Sequence, residues 1–176
     1  EFINNDILNI KKFLWNINKI EVYSQNLNKE KVLNFENKQE SLFSIIKNHK
    51  LINYLILKLK KNTFCKFKKS ITNERLINYY NLVIICDSSN PITKKFFSKK
   101  IKKNYKSYAH TSIITHNKLM SNNVAVQIFT RNGPLAFLPV SKTETSVVYS
   151  ARGNKNLDLN KIINNFNTKY KIRRCT

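Results

Sequence analysis

A mixed α/β organisation, α+β over most of the stretch, is the fold class that this 176-residue sequence predicts. Three observations predict it. Leu82-Val83-Ile84-Ile85-Cys86 is a continuous, β-branched apolar run, the pattern of a strand buried on both faces of a parallel sheet. Tyr108 to His116, Val124 to Arg131, Leu135 to Val140 and Thr145 to Ser150 read as four antiparallel strands separated by short polar turns. Finally, Leu51, Ile52, Leu55, Ile56 and Leu59 fall on one stripe at helical spacing, as do Leu159, Ile162, Ile163, Phe166 and Tyr170.

The elements follow in order. Residues 17–24 alternate as a strand, Leu33-Asn34-Phe35 suggests a second and Leu42-Phe43 a third. The first helical stripe covers 47–61, with lysines opposite it. Thr63 to Phe67 alternates like a short strand, and a weaker one is expected at 75–80. The buried run 82–86 ends in Asp87-Ser88-Ser89-Asn90-Pro91, a turn composition, and Pro91 suits the first turn of a helix over 91–98. After the four antiparallel strands, Asp158 or Asn156 caps the second helix. Arg173-Arg174-Cys175-Thr176 carries no pattern. Nothing repeats, and no Pro/Gly/Ser linker divides the chain.

Composition narrows the class. A hydrophobic fraction of 41% supports a packed core, and the longest apolar run is far shorter than the ~20 residues of a membrane span. The start, Glu1-Phe2-Ile3-Asn4, lacks an initiator Met and a signal-peptide pattern, which suggests a clone, a processed product or a fragment. A net charge of +22 ordinarily points to an anionic partner such as nucleic acid. Here the charge comes from 27 lysines against 5 arginines, beside 27 asparagines and only 2 glycines. That skew is what AT-rich codons produce, and specific phosphate or base recognition favours arginine forks. A solvated lysine surface is the simpler reading. Cys65, Cys86 and Cys175 have no Cys-x-x-Cys spacing and read as reduced thiols of a cytoplasmic protein. His49, His110 and His116 are too scattered for a metal pattern, so no metal is expected.

A buried strand ending in Asp at its carboxyl end is where α/β sheets bind ligands, and Asp87 stands at that place. A turn-initiating or capping role for Asp87 is the competing reading.

The whole segment Leu82 to Lys94 resembles the hydrophobic-strand, Asp-Gly, x-x-Ser, x-x-Arg motif of class A flavoprotein monooxygenases. Further on, Gln127-Ile128-Phe129-Thr130-Arg131-Asn132-Gly133-Pro134-Leu135-Ala136-Phe137-Leu138-Pro139 is similar to the Gln-x-Phe and Gly-Pro-Leu-Ala-x-Leu-Pro strand pair of the ubiquinone-biosynthesis hydroxylases. Ser146 to Ser150 fits that family's next strand, and Ser44 to Leu51 resembles its strand-to-helix element at an Asn. The resemblance covers about residues 40–150.

It implies part of a FAD-binding α/β domain joined to a substrate domain with an antiparallel sheet. Residues 1–81 would hold partial elements of both with the helix 47–61. Residues 82–104 would hold the FAD-domain strand, the Asp motif and a short helix, 105–150 the substrate-domain sheet, and 151–176 a helical tail. The implied activity is hydroxylation of an aromatic ring in ubiquinone biosynthesis, using FAD, O2 and an electron donor such as NAD(P)H. The substrate would be a polyprenylated phenol or quinol, and the oxygen chemistry belongs to the cofactor. The setting would be cytoplasmic, with peripheral association at the inner membrane or in a biosynthetic complex left open; no specific nucleic-acid partner is expected.

Carried over by position, Asp87 and Ser88 would contact the ribose–pyrophosphate region of FAD, and Asn48 would sit at a helix start near the flavin, with a plain N-cap role as the alternative. Gln127, Phe129 and Leu138 would line the substrate pocket, with core packing as the other reading. No catalytic side chain is assigned. The sequence departs from the family where its Gly, Ser and Arg are replaced by Ser88, Pro91 and Lys94. A Cβ at 88 hinders close approach to phosphate, and Lys94 keeps charge but not the bidentate fork. The family's Gly-x-Gly-x-x-Gly and later Gly-Asp motifs are absent, so the stretch is expected to be a middle segment that is inactive alone. A non-catalytic remnant of the family, a flavin hydroxylase acting on another aromatic compound, and a basic nucleic-acid-binding module are the alternatives.

Overall fold

The computed structural model describes residues 9–27, 30–68, 79–87, 89–97, 101, 103–153 and 156–176. The chain forms two compact units, residues 1–54 with 106–176 and residues 55–105. The class is mixed α+β, with more strand than helix.

The first unit holds two sheets. β1 (Leu14–Ile17) pairs antiparallel with β4 (Phe43–Ile46) as a small ribbon. The large sheet has the order β3-β2-β6-β7-β8-β5-β9, built from β2 (Lys19–Ser24), β3 (Lys31–Glu36), β5 (Ser107–His116), β6 (Val124–Thr130), β7 (Gly133–Pro139), β8 (Glu144–Arg152) and β9 (Ile172–Cys175). Every neighbouring pair in it is antiparallel except β2 with β6, which run parallel in the register Val22 to Gln127. That parallel pair carries residues 19–24 into the same sheet as the carboxyl-terminal strands.

Period two sorts the side chains. Val126 and Ile128 of β6, Leu135 and Phe137 of β7 and Val147, Tyr149 and Ala151 of β8 face one side. There they pack with Ile163 of α3 (Leu159–Phe166) and with Tyr170. Burying each such side chain contributes roughly 1.5–3 kcal/mol, which makes this layer the main stabilising core. Asp158 caps α3, its Oδ1 accepting from the Lys161 amide at 3.1 Å. The hairpin between β6 and β7 closes at the Thr130–Gly133 pair. Gly133 has φ +141°, and a Cβ there would lie 1.8 Å from the Ser150 carbonyl oxygen. Only glycine permits β7 to start so close to β8.

α1 (Asn48–Lys60) begins in the first unit, and the unit boundary falls within it. In the first unit, Tyr54 meets Phe13 edge-on at 5.2 Å, with the Lys12 ammonium 5.0 Å from the Phe13 ring centre.

The second unit contains the rest of α1 and α2 (Pro91–Phe96). Here the structure corrects two expectations. The strand expected at 63–67 is replaced by a turn, because the Asn62 side chain accepts from the Phe64 amide at 2.9 Å while its carbonyl accepts from the Cys65 amide. Such an Asx turn competes with extended pairing. The buried strand expected at 82–86 is also not formed: these residues have no ladder partner, and Leu82 and Ile84 are 75% and 76% exposed. A strand buried on both faces needs strands on either side, and the described residues of 55–105 supply none. The weaker strand expected at 75–80 lies mostly outside the described residues. α2 forms as its composition requires, with Asn90 accepting from the Ile92 amide at 3.0 Å and Pro91 in the first turn. At the chain's end, where no pattern was expected, Ile172–Cys175 adds β9 beside β5.

Candidate functional site

Alternation along β6 and β7 places Gln127, Phe129 and Leu138 on the sheet face opposite α3. Gln127 lies opposite Ala136, and Phe129 opposite Pro134 on β7 and Ser24 on β2. Leu138 lies opposite Ser146 on β8. None of the three is buried, and Phe129 is 50% exposed. Their neighbours on the other face, Ile128 and the partly buried Val126, belong to the core.

The residues expected at the cofactor are distributed differently. Asn48 lies in the first unit as the first residue of α1, and it is exposed. The capping position belongs to Lys47, whose carbonyl accepts from the Leu51 amide at 3.2 Å. Asp87 lies in the second unit. Its Oδ1 accepts from the Ser89 amide at 2.8 Å and the Ser89 hydroxyl at 2.7 Å, and its carbonyl accepts from the Thr93 hydroxyl at 2.8 Å. That carboxylate holds the turn leading into α2. Ser88 lies outside the described residues.

The chain's two glycines bear on phosphate binding. Gly133 is used in the hairpin, and Gly153 is exposed and donates its amide to Lys106. Neither one opens a helix N-terminus, so the described residues do not supply the glycine cradle that a FAD pyrophosphate needs. Among the described residues no three of His, Cys, Asp or Glu converge on a metal-sized site. His116 is buried with both ring nitrogens engaged: Nδ1 donates to the Asn117 carbonyl at 2.8 Å, which leaves Nε2 to accept from the Thr145 hydroxyl at 3.1 Å. Thr145 Oγ1 in turn accepts from the Asn122 amide group at 3.2 Å, and Asn122 Oδ1 accepts from the Tyr170 hydroxyl at 3.2 Å.

On the α3 side the first unit contains a cleft of about 660 Å³ that the sequence did not announce. Its floor is Val126, Ile128 and Phe166, and its rim includes Glu21, Tyr23 and Lys169. Burial works to raise the Glu21 pKa, but hydrogen bonds from Lys31, Lys19 and Tyr23 outweigh it and hold the carboxyl at about 2. Lys31 Nζ lies 2.7 Å and Lys19 Nζ 3.2 Å from Glu21 Oε1, and the Tyr23 hydroxyl donates to Oε2 at 3.0 Å. Burial and the Glu21 charge push the Tyr23 hydroxyl upward. Lys169 is an exposed residue whose ammonium turns back toward the protein, 3.4 Å from Asn122 Oδ1 and 5.3 Å from the Tyr170 ring centre. Partial desolvation there lowers its pKa, with Glu21 pulling the other way. The only sequence signal for the cleft is that Glu21 and Tyr23 share a face of β2; their partners across it come from residues more than a hundred positions away.

Among models of protein families none matches the chain, and no curated protein matches it. Among the described residues no helix is long and apolar enough to cross a membrane.

Proposed function

We propose that this chain supplies the substrate-facing sheet of a FAD-dependent monooxygenase that hydroxylates an aromatic ring in ubiquinone biosynthesis. The observation that supports this reading is the gathering of Gln127, Phe129 and Leu138 on one sheet face, with small Ala136 opposite Gln127 and Ser146 opposite Leu138. An aromatic ring can stack on Phe129 while the Gln127 carboxamide accepts from or donates to its hydroxyl. Leu138 keeps water from that side. A polyprenylated phenol or quinol suits the patch, its chain running along apolar surface, and peripheral contact with a membrane would deliver such a substrate. When bound, reduced FAD supplies the oxygen transfer from O2, with NAD(P)H as electron source. Its pyrophosphate would be held by residues other than those described, with Asp87, Ser88 and Asn48 as accessory contacts at most.

The test is a titration of the methyl-labelled chain with 2-prenylphenol, followed by NMR. Saturable shifts of the Leu138 methyls and the Phe129 ring support the reading. Unmoved signals at both, up to the solubility limit of the phenol, overturn it.

A further inference from the structure

The cleft on the α3 face lies across the sheet from Gln127, Phe129 and Leu138, and its chemistry differs from theirs. Its volume of about 660 Å³ falls in the range of small-ligand sites, roughly 300–1,000 Å³. Val126 and Ile128 of β6 and Phe166 of α3 give it an apolar floor from two separate elements. Its charged rim is unevenly matched. The Glu21 carboxylate already holds two ammonium groups and a hydroxyl, and Lys19 also reaches Glu36 at 3.7 Å. Among the described residues, by contrast, no ion pair includes Lys169. Lys169 lines the cleft, and one of its three N–H donors serves Asn122.

We infer that this cleft binds a small amphipathic monocarboxylate, its apolar body on Val126, Ile128 and Phe166 and its carboxylate on the Lys169 ammonium. Charge decides the class. A cationic ligand finds Glu21 taken. A dianion would need a second cation, and Lys19 and Lys31 are committed to Glu21. A neutral apolar molecule gains the floor but leaves the partly desolvated ammonium uncompensated. A monoanion with an apolar tail satisfies both parts, and Ser24 and Thr168 also line the cleft. This inference is independent of the flavin reading, because it concerns the other face of the sheet.

The experiment titrates the methyl-labelled chain with octanoate and, separately, with octan-1-ol, which has the same tail without the charge. The expected result is shifts of the Val126 and Ile128 methyls with the Leu138 methyls unmoved, and octanoate bound about ten- to hundredfold tighter than octanol, the range of one charge-assisted hydrogen-bonded pair. Lys169→Gln, which keeps a donor for Asn122 and removes the charge, should abolish that preference while leaving octanol binding level, and Lys169→Arg should restore it. Equal binding of the two probes to the wild-type chain overturns the inference without recourse to any variant. So does a preference retained in a folded K169Q chain, or shifts confined to Leu138.

Discussion

The Lys47 ammonium donates to Glu144 Oε2 at 2.6 Å, joining the residue that opens α1 to the first residue of β8. The Ser141 hydroxyl donates to the same oxygen at 3.3 Å. The hydrogen bond from Lys47 is the main cause of the lowered Glu144 pKa, against the opposing effect of burial. A depressed carboxylate stabilises the fold above its unfolded pKa of about 4.5 and loses that contribution as pH falls through the folded value. Glu144→Gln should therefore cost about 0.5–1 kcal/mol near neutral pH, the scale of a partly exposed pair, and less at pH 2. Urea unfolding at the two pH values checks this; an equal cost at both would assign the effect to packing.

Glu21 gives a larger acid response. Its pKa of about 2 in the fold against 4.5 unfolded means stability that is complete above pH 4.5 and drains away between 4.5 and 2. Lys31 is 39% exposed, so solvent screening reduces the contribution to about 1–2 kcal/mol. Glu21→Gln should flatten the acid limb of the stability curve over that window. NMR titration of the Glu21 side chain measures the pKa directly, and a value near 4.5 would remove the three-donor arrangement.

Thr145 links two buried side chains, accepting from Asn122 and donating to His116 Nε2. Thr145→Val preserves shape but leaves both partners unsatisfied in a site with no exposure. Each lost partner costs roughly 1–3 kcal/mol, so the variant should lose about 2–4 kcal/mol in total. Thermal or urea unfolding reads this. A loss below 1 kcal/mol would mean that water reaches the site and substitutes for the hydroxyl.

The helices and most of the large sheet were legible because their side chains repeat at 3.6 or 2 residues, and Asp158 stood where a cap should be. Period two put Gln127 and Phe129 on a common face, while Leu138 across from them was only what the family resemblance implied. Pairing was not legible. Alternation in 19–24 announces a strand but not that its parallel partner is Val124–Phe129. β9 is four residues with two arginines, too short and too polar to show a period, and it is held at the sheet edge by β5. The run 82–86 misled because apolar composition states what a strand would bury, not whether neighbours exist to bury it. The cleft around Lys169 showed in the sequence only as Glu21 and Tyr23 sharing a face of a strand, since β2, β6 and the end of α3 meet only in the folded chain.

Gly133→Ala tests the hairpin that the Gly-Pro-Leu-Ala stretch builds. The new Cβ would sit 1.8 Å from the Ser150 carbonyl oxygen, a backbone atom that cannot rotate away, and φ +141° is itself strained for alanine. The expected loss exceeds about 3 kcal/mol, with the protection of β7 and β8 amides lost first in hydrogen exchange. Gly153→Ala is the control: nothing lies within 4 Å of its Cβ, so only the backbone cost of φ +71°, about 1 kcal/mol, should appear. Similar losses for the two variants would contradict the close approach of β7 to β8.

The last prediction concerns flavin and follows from where the chain spends its glycines and its Asp87. A dinucleotide pyrophosphate is held by backbone amides at a glycine-rich turn opening a helix. Gly133 closes a hairpin between strands, Gly153 follows β8, and the Asp87 carboxylate already accepts two hydrogen bonds from Ser89. Chain 1–176 purified with excess FAD should therefore emerge from gel filtration without stoichiometric flavin. Asp87→Ala should leave that result unchanged and instead loosen the turn before α2, costing about 0.5–1 kcal/mol locally, as for a lost cap. Absorbance at the flavin band and amide exchange at Ser89 and Thr93 separate the two effects. A yellow protein with near-equimolar FAD, bleached by D87A, would reverse the assignment and make Asp87 a cofactor ligand in this chain.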